Sequence, residues 1–282
     1  ADRDWSSDVC SSDLKENINV EKLLDSCSRV RQSLIPLNQK CAFLILDCET
    51  SGLSATKDVP YEVAGLFATC ENGVVQAHHA YHSYMDWTRD GIMDEASYSA
   101  KMNATAIAMS ERDPNVKRPT VQQLKAVGKH PREALQDLKN QAQNFFDYYS
   151  SQPDWMLFTC GHNIFSFDAN VLHHNCTKVG VQSPVYRNLI DTGLILKAAQ
   201  LNPTSLPQMI KSGGVVDTVD WVMQMGRMKI KGVFWNLSNF CTPLFNLDAH
   251  LPSYIREAPH TALTDTWKVF TLFKFFTQGR IA

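Results

Sequence analysis

The stretch FLILDCETSGL, residues 43–53, decides how the chain is read. An apolar run that begins at Cys41 ends in Asp47, one spacer and Glu49, and passes at once into Thr50, Ser51 and Gly52. A short, unbroken apolar run of this kind reads as a central strand buried on both faces. Side chains repeat every two residues along a strand, so Asp47 and Glu49 leave its end on the same face. Two carboxylates at the rim of a core repel each other and resist burial unless a cation lies between them. A divalent metal ion resolves the conflict. A solvated pair at a strand end is the plainer alternative.

Working outward, YEVAGLFATC (61–70) and VVQAHHAYHSY (74–84) flank the turn signal ENG and predict a hairpin that continues the sheet. Upstream, NINVEKLLDSCSRVRQSLI (17–35) places Leu23, Leu24, Cys27, Val30 and Leu34 on one helical face, and Pro36 ends that helix. Residues 86–130 are mixed, with ERDPNVKRPT (111–120) read as a loop. PREALQDLKNQAQNFFDYY (131–149) opens with Pro and carries an apolar stripe from Leu135 to Tyr149, the pattern of a surface-packed helix.

WMLFTCGHN (155–163) reads as a second buried strand, FDANVLHHNCTKVG (167–180) as a helix stopping near Gly180, and VYRNLIDTGLILKAAQ (185–200) as strand then helix. NLSNFCTPLF (236–245) and HTALTDTWKVFTLFKFF (260–276) read as closing helices, while residues 201–235, with Pro203, Pro207 and a Gly pair, give no assignment. Strands alternating with helices after an early hairpin imply a mixed α/β sheet covered by helices, in one domain.

The chain has 282 residues, 44% hydrophobic and 20% charged, ordinary for a globular protein with a sizeable core. No apolar run reaches the length of a membrane span, so no membrane partner is expected. Its eight cysteines form no C-x-x-C pair, which fits reduced thiols and a cytoplasmic location. The first fourteen residues, ADRDWSSDVCSSDL, are Ser/Asp-rich and without periodicity. RDWSSDVCSSDL (3–14) matches the in-frame translation of a common sequencing-adapter oligonucleotide, so residues 1–14 are expected to be a non-native disordered tail, and a natural disordered tail is the alternative. Its four Asp and one Arg account for the net acidity, and the remainder is close to neutral. Charge therefore neither demands nor forbids a nucleic-acid partner.

Two further acidic positions join the first pair. Asp168 opens the helix after the second buried strand, in HNIFSFDANVL, and Asp265 lies in the last helix, in HTALTDT, five residues after His260. Four carboxylates and a His at strand and helix ends are what hard divalent cations require. Two such ions about 4 Å apart can hold both the attacking and the leaving oxygen of a phosphodiester. The pKa range of His260 suits a general base near neutral pH.

On these motifs the chain resembles the DnaQ-like 3′–5′ exonucleases of the DEDDh type, in the ribonuclease-H-like superfamily. The first motif matches at Asp47, Glu49, Thr50, Gly52 and Leu53, the second at His162, Asn163, Phe167 and Asp168, and the third at His260 and Asp265, over roughly residues 41–278. The resemblance implies a mixed five-stranded ribonuclease-H-like sheet flanked by helices, with residues 15–40 as a helical extension and 41–282 as the exonuclease domain. It implies that Asp47, Glu49, Asp168 and Asp265 hold two Mg²⁺ or Mn²⁺ ions, with His260 as general base. Thr50 and Gly52 would meet the terminal nucleotide together with His162, Asn163 and Phe167, and Leu53 would pack on its base. NLIDTGLIL, with Asp191 and Thr192, resembles the family's strand and helix after the second motif.

The expected activity is removal of 5′-nucleoside monophosphates from single-stranded 3′ ends, DNA favoured, in replication or repair. A polymerase is a further expected partner. An RNA-directed exonuclease of the same fold and a non-catalytic nucleic-acid-binding module are the alternatives.

Single residues have plainer readings beside these. Asp168 also suits helix capping. His78 and His79 point to opposite faces of a strand, so a solvated edge strand is preferred to a metal site formed with His82. His173 and His174 read as helix-surface residues. Lys117, Arg118, Lys125, Lys129 and Arg132, with Arg227, Lys229 and Lys231, could guide a phosphate backbone, although solvated loops are the commoner explanation.

Overall fold

A computed structural model describes residues 18–36, 38–110, 118–201, 236–256 and 261–279. The expectations for the first fourteen residues, for 202–235 and for His260 lie outside the described residues.

Among the described residues five strands form one sheet: β1 (Lys40–Thr50), β2 (Pro60–Glu71), β3 (Val74–Tyr84), β4 (Trp155–Gly161) and β5 (Leu189–Asp191). Their spatial order is β3-β2-β1-β4-β5. The first three are antiparallel neighbours, and β4 and β5 run parallel to β1. This is the mixed five-stranded, helix-flanked α/β sheet expected for a ribonuclease-H-like fold. The hairpin turns at Asn72 and Gly73, both at positive φ (52° and 76°), which matches the right-handed twist of the two strands it joins.

Among the described residues, the helices longer than one or two turns, with the short α3, are α1 (Val20–Leu34), α2 (Glu95–Ser110), α3 (Val121–Val127), α4 (Pro131–Ser150), α5 (Asp168–Lys178), α6 (Thr192–Leu201) and α7 (Ala262–Gln278). The closing stretch read as a helix at 236–245 is instead a π-type turn, Leu237–Cys241, followed by a single helical turn, Thr242–Phe245. The Asn236 side chain accepts from Asn239 N and starts the segment, and Asn246, in the left-handed region at φ 53°, ends it.

β1 sorts the core by parity. Cys41, Phe43 and Ile45 belong to the cluster built with α1, α6 and α7, while Ala42, Leu44, Leu46 and Cys48 belong to the cluster built with α4 and α5. Both faces are therefore covered, as the unbroken apolar run requires. α1 shares the α7 side: Arg31, fully buried, donates to Ile35 O and lies over the Phe273 ring. No helix among the described residues is long and apolar enough to cross a membrane.

β1 is longer than the sequence implied. Its ladder with β2 continues through Glu49 opposite Glu62 to Thr50 opposite Pro60, with a register shift between Glu49 and Thr50. Asp47 and Glu49 thus lie within the last residues of the strand, not beyond its end.

Candidate metal centre

The odd-numbered row of β1 faces α7, and Phe43 packs against Phe273 with ring centroids 4.8 Å apart. Continuing the same row beyond Ile45 gives Asp47 and Glu49. At the matching end of α7, Thr261 caps the helix by accepting from Thr264 N, and Asp265 follows in the first turn. The strand row and the helix start converge: one carboxylate oxygen each from Asp47, Glu49 and Asp265 lie within 4.8 Å of one another.

The cluster is electrostatically costly by itself. Burial, followed by the charges of Asp168, Asp265, Glu49 and Glu62, pushes the Asp47 carboxyl well above its ordinary range. Burial and the Asp265 charge push Glu49 up to about 8, against the opposing pull of Arg118. Burial first raises Asp168 to about 7, while backbone N–H groups of its own residue and of Cys48 hold it down. Lys268 Nζ forms an ion pair with Asp265 Oδ1 at 3.2 Å, yet no donor among the described residues makes a directed hydrogen bond to that buried oxygen. A buried carboxylate oxygen met only by an ion pair, beside two other carboxylates, fits a hard divalent cation with oxygen ligands.

Asp168 is placed differently from the other three acids. It occupies the first position of α5, is buried, and accepts from Cys48 N at 3.2 Å, so it braces the backbone between Asp47 and Glu49. Among the described residues it is not part of the cluster within 4.8 Å, though its charge acts on Asp47.

Thr50 is buried, its hydroxyl donates to Gly52 O at 2.6 Å, and its carbonyl accepts from Arg118 Nη1 at 2.5 Å. Gly52 is required for space: a Cβ there would stand 2.4 Å from Asp58 Oδ2, and Ser54 N and Lys101 Nζ bind that carboxylate. Leu53 is 82% exposed beside this turn. His162 is buried and shares a 3.0 Å hydrogen bond with Thr192 Oγ1. Asn163 stands in the left-handed region at φ 60°, and Phe167 is the half-buried residue immediately before α5.

Asp191 holds that turn together. Its Oδ1 accepts from Asn163 N, Gly193 N and Leu194 N, and its Oδ2 from Phe165 N. One buried carboxylate thereby ties the 162–168 segment to the start of α6.

Three contributors had no distinctive sequence signal. Glu62, buried opposite Glu49, accepts from Ala262 N at 3.0 Å and pairs with His82 Nε2 at 2.7 Å. His82 is therefore not merely a solvated edge residue, because its partner Glu62 is buried and reaches the start of α7. His78 shares a 2.8 Å bond with Thr69 Oγ1, and His79 stacks on Phe67. Tyr61 donates to Glu49 Oε2 at 3.4 Å, and Lys268 lies beside Asp265. Only the β2 register and the path of α7 bring these groups to the cluster.

The basic positions separate clearly. Lys125 pairs with Glu95, Lys129 with Asp137, and Arg132 donates to Val179 O. Arg118 alone of the described members goes to the acidic site: its side chain is 7% exposed and its Nη2 lies 3.5 Å from Glu49 Oε2. Lys117, Arg227, Lys229 and Lys231 lie outside the described residues.

No protein-family model matches the sequence, and no curated protein is similar to it. Solved structures similar to this chain include E. coli exonuclease I in complex with a 5cy-dT13 oligonucleotide, at 15% identity and a TM-score of 0.45, over 84% of this chain and 40% of that one. The zinc ion bound form of an E. coli ExoI–ssDNA complex is 14% identical, with a TM-score of 0.47 over 85% and 42%. A moderately thermophilic exonuclease I from Methylocaldum szegediense is 14% identical, with a TM-score of 0.43 over 83% and 40%. The chain spans about two-fifths of the length of these proteins.

Proposed function

We propose that the chain is a metal-dependent 3′–5′ exonuclease that releases 5′-nucleoside monophosphates from single-stranded ends, DNA in preference to RNA. The observation that carries the reading is the convergence of Asp47, Glu49 and Asp265 from two distant elements, with a buried Asp265 oxygen that, among the described residues, has the Lys268 ion pair but no directed hydrogen bond. These three, with Asp168 beside Asp47, would hold Mg²⁺ or Mn²⁺. The bound ions would supply Lewis acidity and lower the pKa of a coordinated water.

The chain's own residues divide the remaining work. His260 is the proposed general base; its position five residues before Asp265 and just ahead of Thr261, the α7 cap, supports that role. Leu53, exposed three residues after Thr50, is the proposed platform for the terminal base, since an apolar side chain packs on any base without reading sequence. Asp168 and Asp191 fix the 162–168 turn against β1 and α6, so His162, Asn163 and Phe167 are presented on a rigid segment. The sheet that begins at β1 forms the proposed exonuclease domain, with α1 as its helical extension.

The test is incubation of the purified chain with end-labelled single-stranded DNA and RNA of equal sequence, in Mg²⁺, Mn²⁺ or EDTA, beside His260→Ala. Stepwise shortening from the 3′ end that needs both metal and His260 supports the reading, and the DNA-to-RNA rate ratio assigns the substrate. Absence of shortening by folded, metal-binding protein would replace it with a non-catalytic nucleic-acid-binding module.

A further inference from the structure

Arg118 is an unusual group to find in a cluster of carboxylates. It lies two residues before Thr120, whose side chain and that of Gln123 form a reciprocal cap at the start of α3. Its guanidinium lies over the Tyr61 ring, 5.4 Å from the centroid. Nη1 donates to Thr50 O at 2.5 Å, a firm anchor on β1. The opposite edge is poorly used. Among the described residues, Nη2 has only a long 3.5 Å contact with Glu49 Oε2, and the buried Nε has no partner.

Nε and Nη2 form the edge of a guanidinium that grips a phosphate or carboxylate with two parallel hydrogen bonds. Here that edge offers two donors and holds neither well. A buried donor left without an acceptor is a cost that native structures rarely carry without a role. Glu49 is the only acid in contact with this edge among the described residues, and it is also a member of the candidate metal cluster. Once Glu49 faces a metal ion, its attraction for Arg118 weakens, because one carboxylate cannot fully satisfy both cations.

We propose that Arg118 is a phosphate-positioning residue that serves as the resting counter-ion of Glu49 and, when metal takes Glu49, turns its Nε–Nη2 edge to a phosphodiester of the bound strand. The inference rests on the proposed metal-dependent nuclease reading and names which side chain would meet the backbone there. Lys268 does not share the role. It lies beside Asp265 on the same helix, one turn on, and has Asp248 as a second acid at 3.9 Å.

The two halves of the role have opposite signs in one variant. In calorimetric titrations of the full chain with MnCl₂ alone, run above pH 8 so that Glu49 is ionised in wild type, Arg118→Met should bind Mn²⁺ about three- to tenfold more tightly than wild type, because a competing cation has gone. In Mn²⁺, the same variant should bind a fluorescent dT oligonucleotide with a non-hydrolysable 3′ linkage about tenfold more weakly. Arg118→Lys keeps the charge but not the fork. It should leave Mn²⁺ affinity near wild type while still weakening the oligonucleotide.

A general loosening of the site would weaken both ligands together, so parallel losses in Arg118→Met overturn the proposal. Unchanged Mn²⁺ affinity overturns the counter-ion role, and unchanged oligonucleotide affinity overturns the phosphate role. If both shifts appear but wild type never shortens DNA or RNA, the assignment of Arg118 stands and the exonuclease reading falls.

Discussion

Glu49 and Glu62 stand directly opposite each other across the β1–β2 ladder, two acidic residues in a cross-strand pair. Like charges so placed repel. The arrangement persists because each has its own partners: Glu49 has Arg118 and Tyr61, and Glu62 has His82 and the N–H of Ala262. Glu62 is thus the link between the sheet and the start of the helix that carries Asp265.

Replacing that link should loosen α7. Glu62→Ala leaves the Ala262 N–H without its acceptor and should destabilise the protein by about 1–3 kcal/mol, whereas Glu62→Gln, which keeps a carbonyl oxygen, should recover most of the loss. Urea denaturation of the two variants beside wild type measures this. Equal stability of Glu62→Ala and wild type would show that α7 is held elsewhere.

The metal-free cluster should weaken the fold as pH rises. Glu49 is raised from an ordinary value of 4.5 to about 8 in the folded protein, mainly by burial and Asp265. Over that window the unfolded chain has released its proton and the folded chain retains it. Stability contributed by this group is therefore full below the unfolded value and lost as pH climbs through about 8. In EDTA the melting temperature should fall between pH 5 and pH 8 by an amount that shrinks in Glu49→Gln. A melting temperature that rises across the window in EDTA would contradict the assigned burial of these acids.

Metal should reverse the effect. Ligand that binds only the folded state stabilises it by about 2.7 kcal/mol at a hundred times its dissociation constant. MnCl₂ at pH 8 should raise the melting temperature of wild type, and Asp47→Asn, which removes one charge from the cluster, should lose most of that rise while melting no lower than wild type in EDTA. Thermal scans of the two proteins with and without MnCl₂ distinguish this from a variant that is simply unstable.

Gly52 is constrained by Asp58. Gly52→Ala would drive a Cβ into the Asp58 carboxylate, which Ser54 N and Lys101 hold in place. The expected cost is about 1–3 kcal/mol. In the double variant with Asp58→Ala the losses should add to less than their sum, since the clash is gone. Strict additivity, read from chemical denaturation, would show that the turn yields without resistance.

Much of this architecture is legible in local sequence. The central strand, the hairpin at Asn72-Gly73 and the helices at 131–150 and 262–278 follow from periodicity and turn chemistry, which act between residues a few positions apart. Parity along β1 alone places Asp47 and Glu49 on one face. The stretch 236–245 was less legible, because Pro243 and the Asn236 cap favour short turns that a helical apolar pattern does not separate.

What the sequence determined, then, is which elements form and which face of β1 is acidic. Which groups meet that face depends on long-range packing. Strand register sets Glu62 across from Glu49, the path of the chain brings Asp265 from its far end, and Arg118, one basic residue among several in its neighbourhood, turns inward. The physical reason is one of range. Propensity and periodicity are local, whereas a charge in a partly buried site is stabilised or destabilised by whichever groups the fold brings within a few ångströms, however distant they are along the chain.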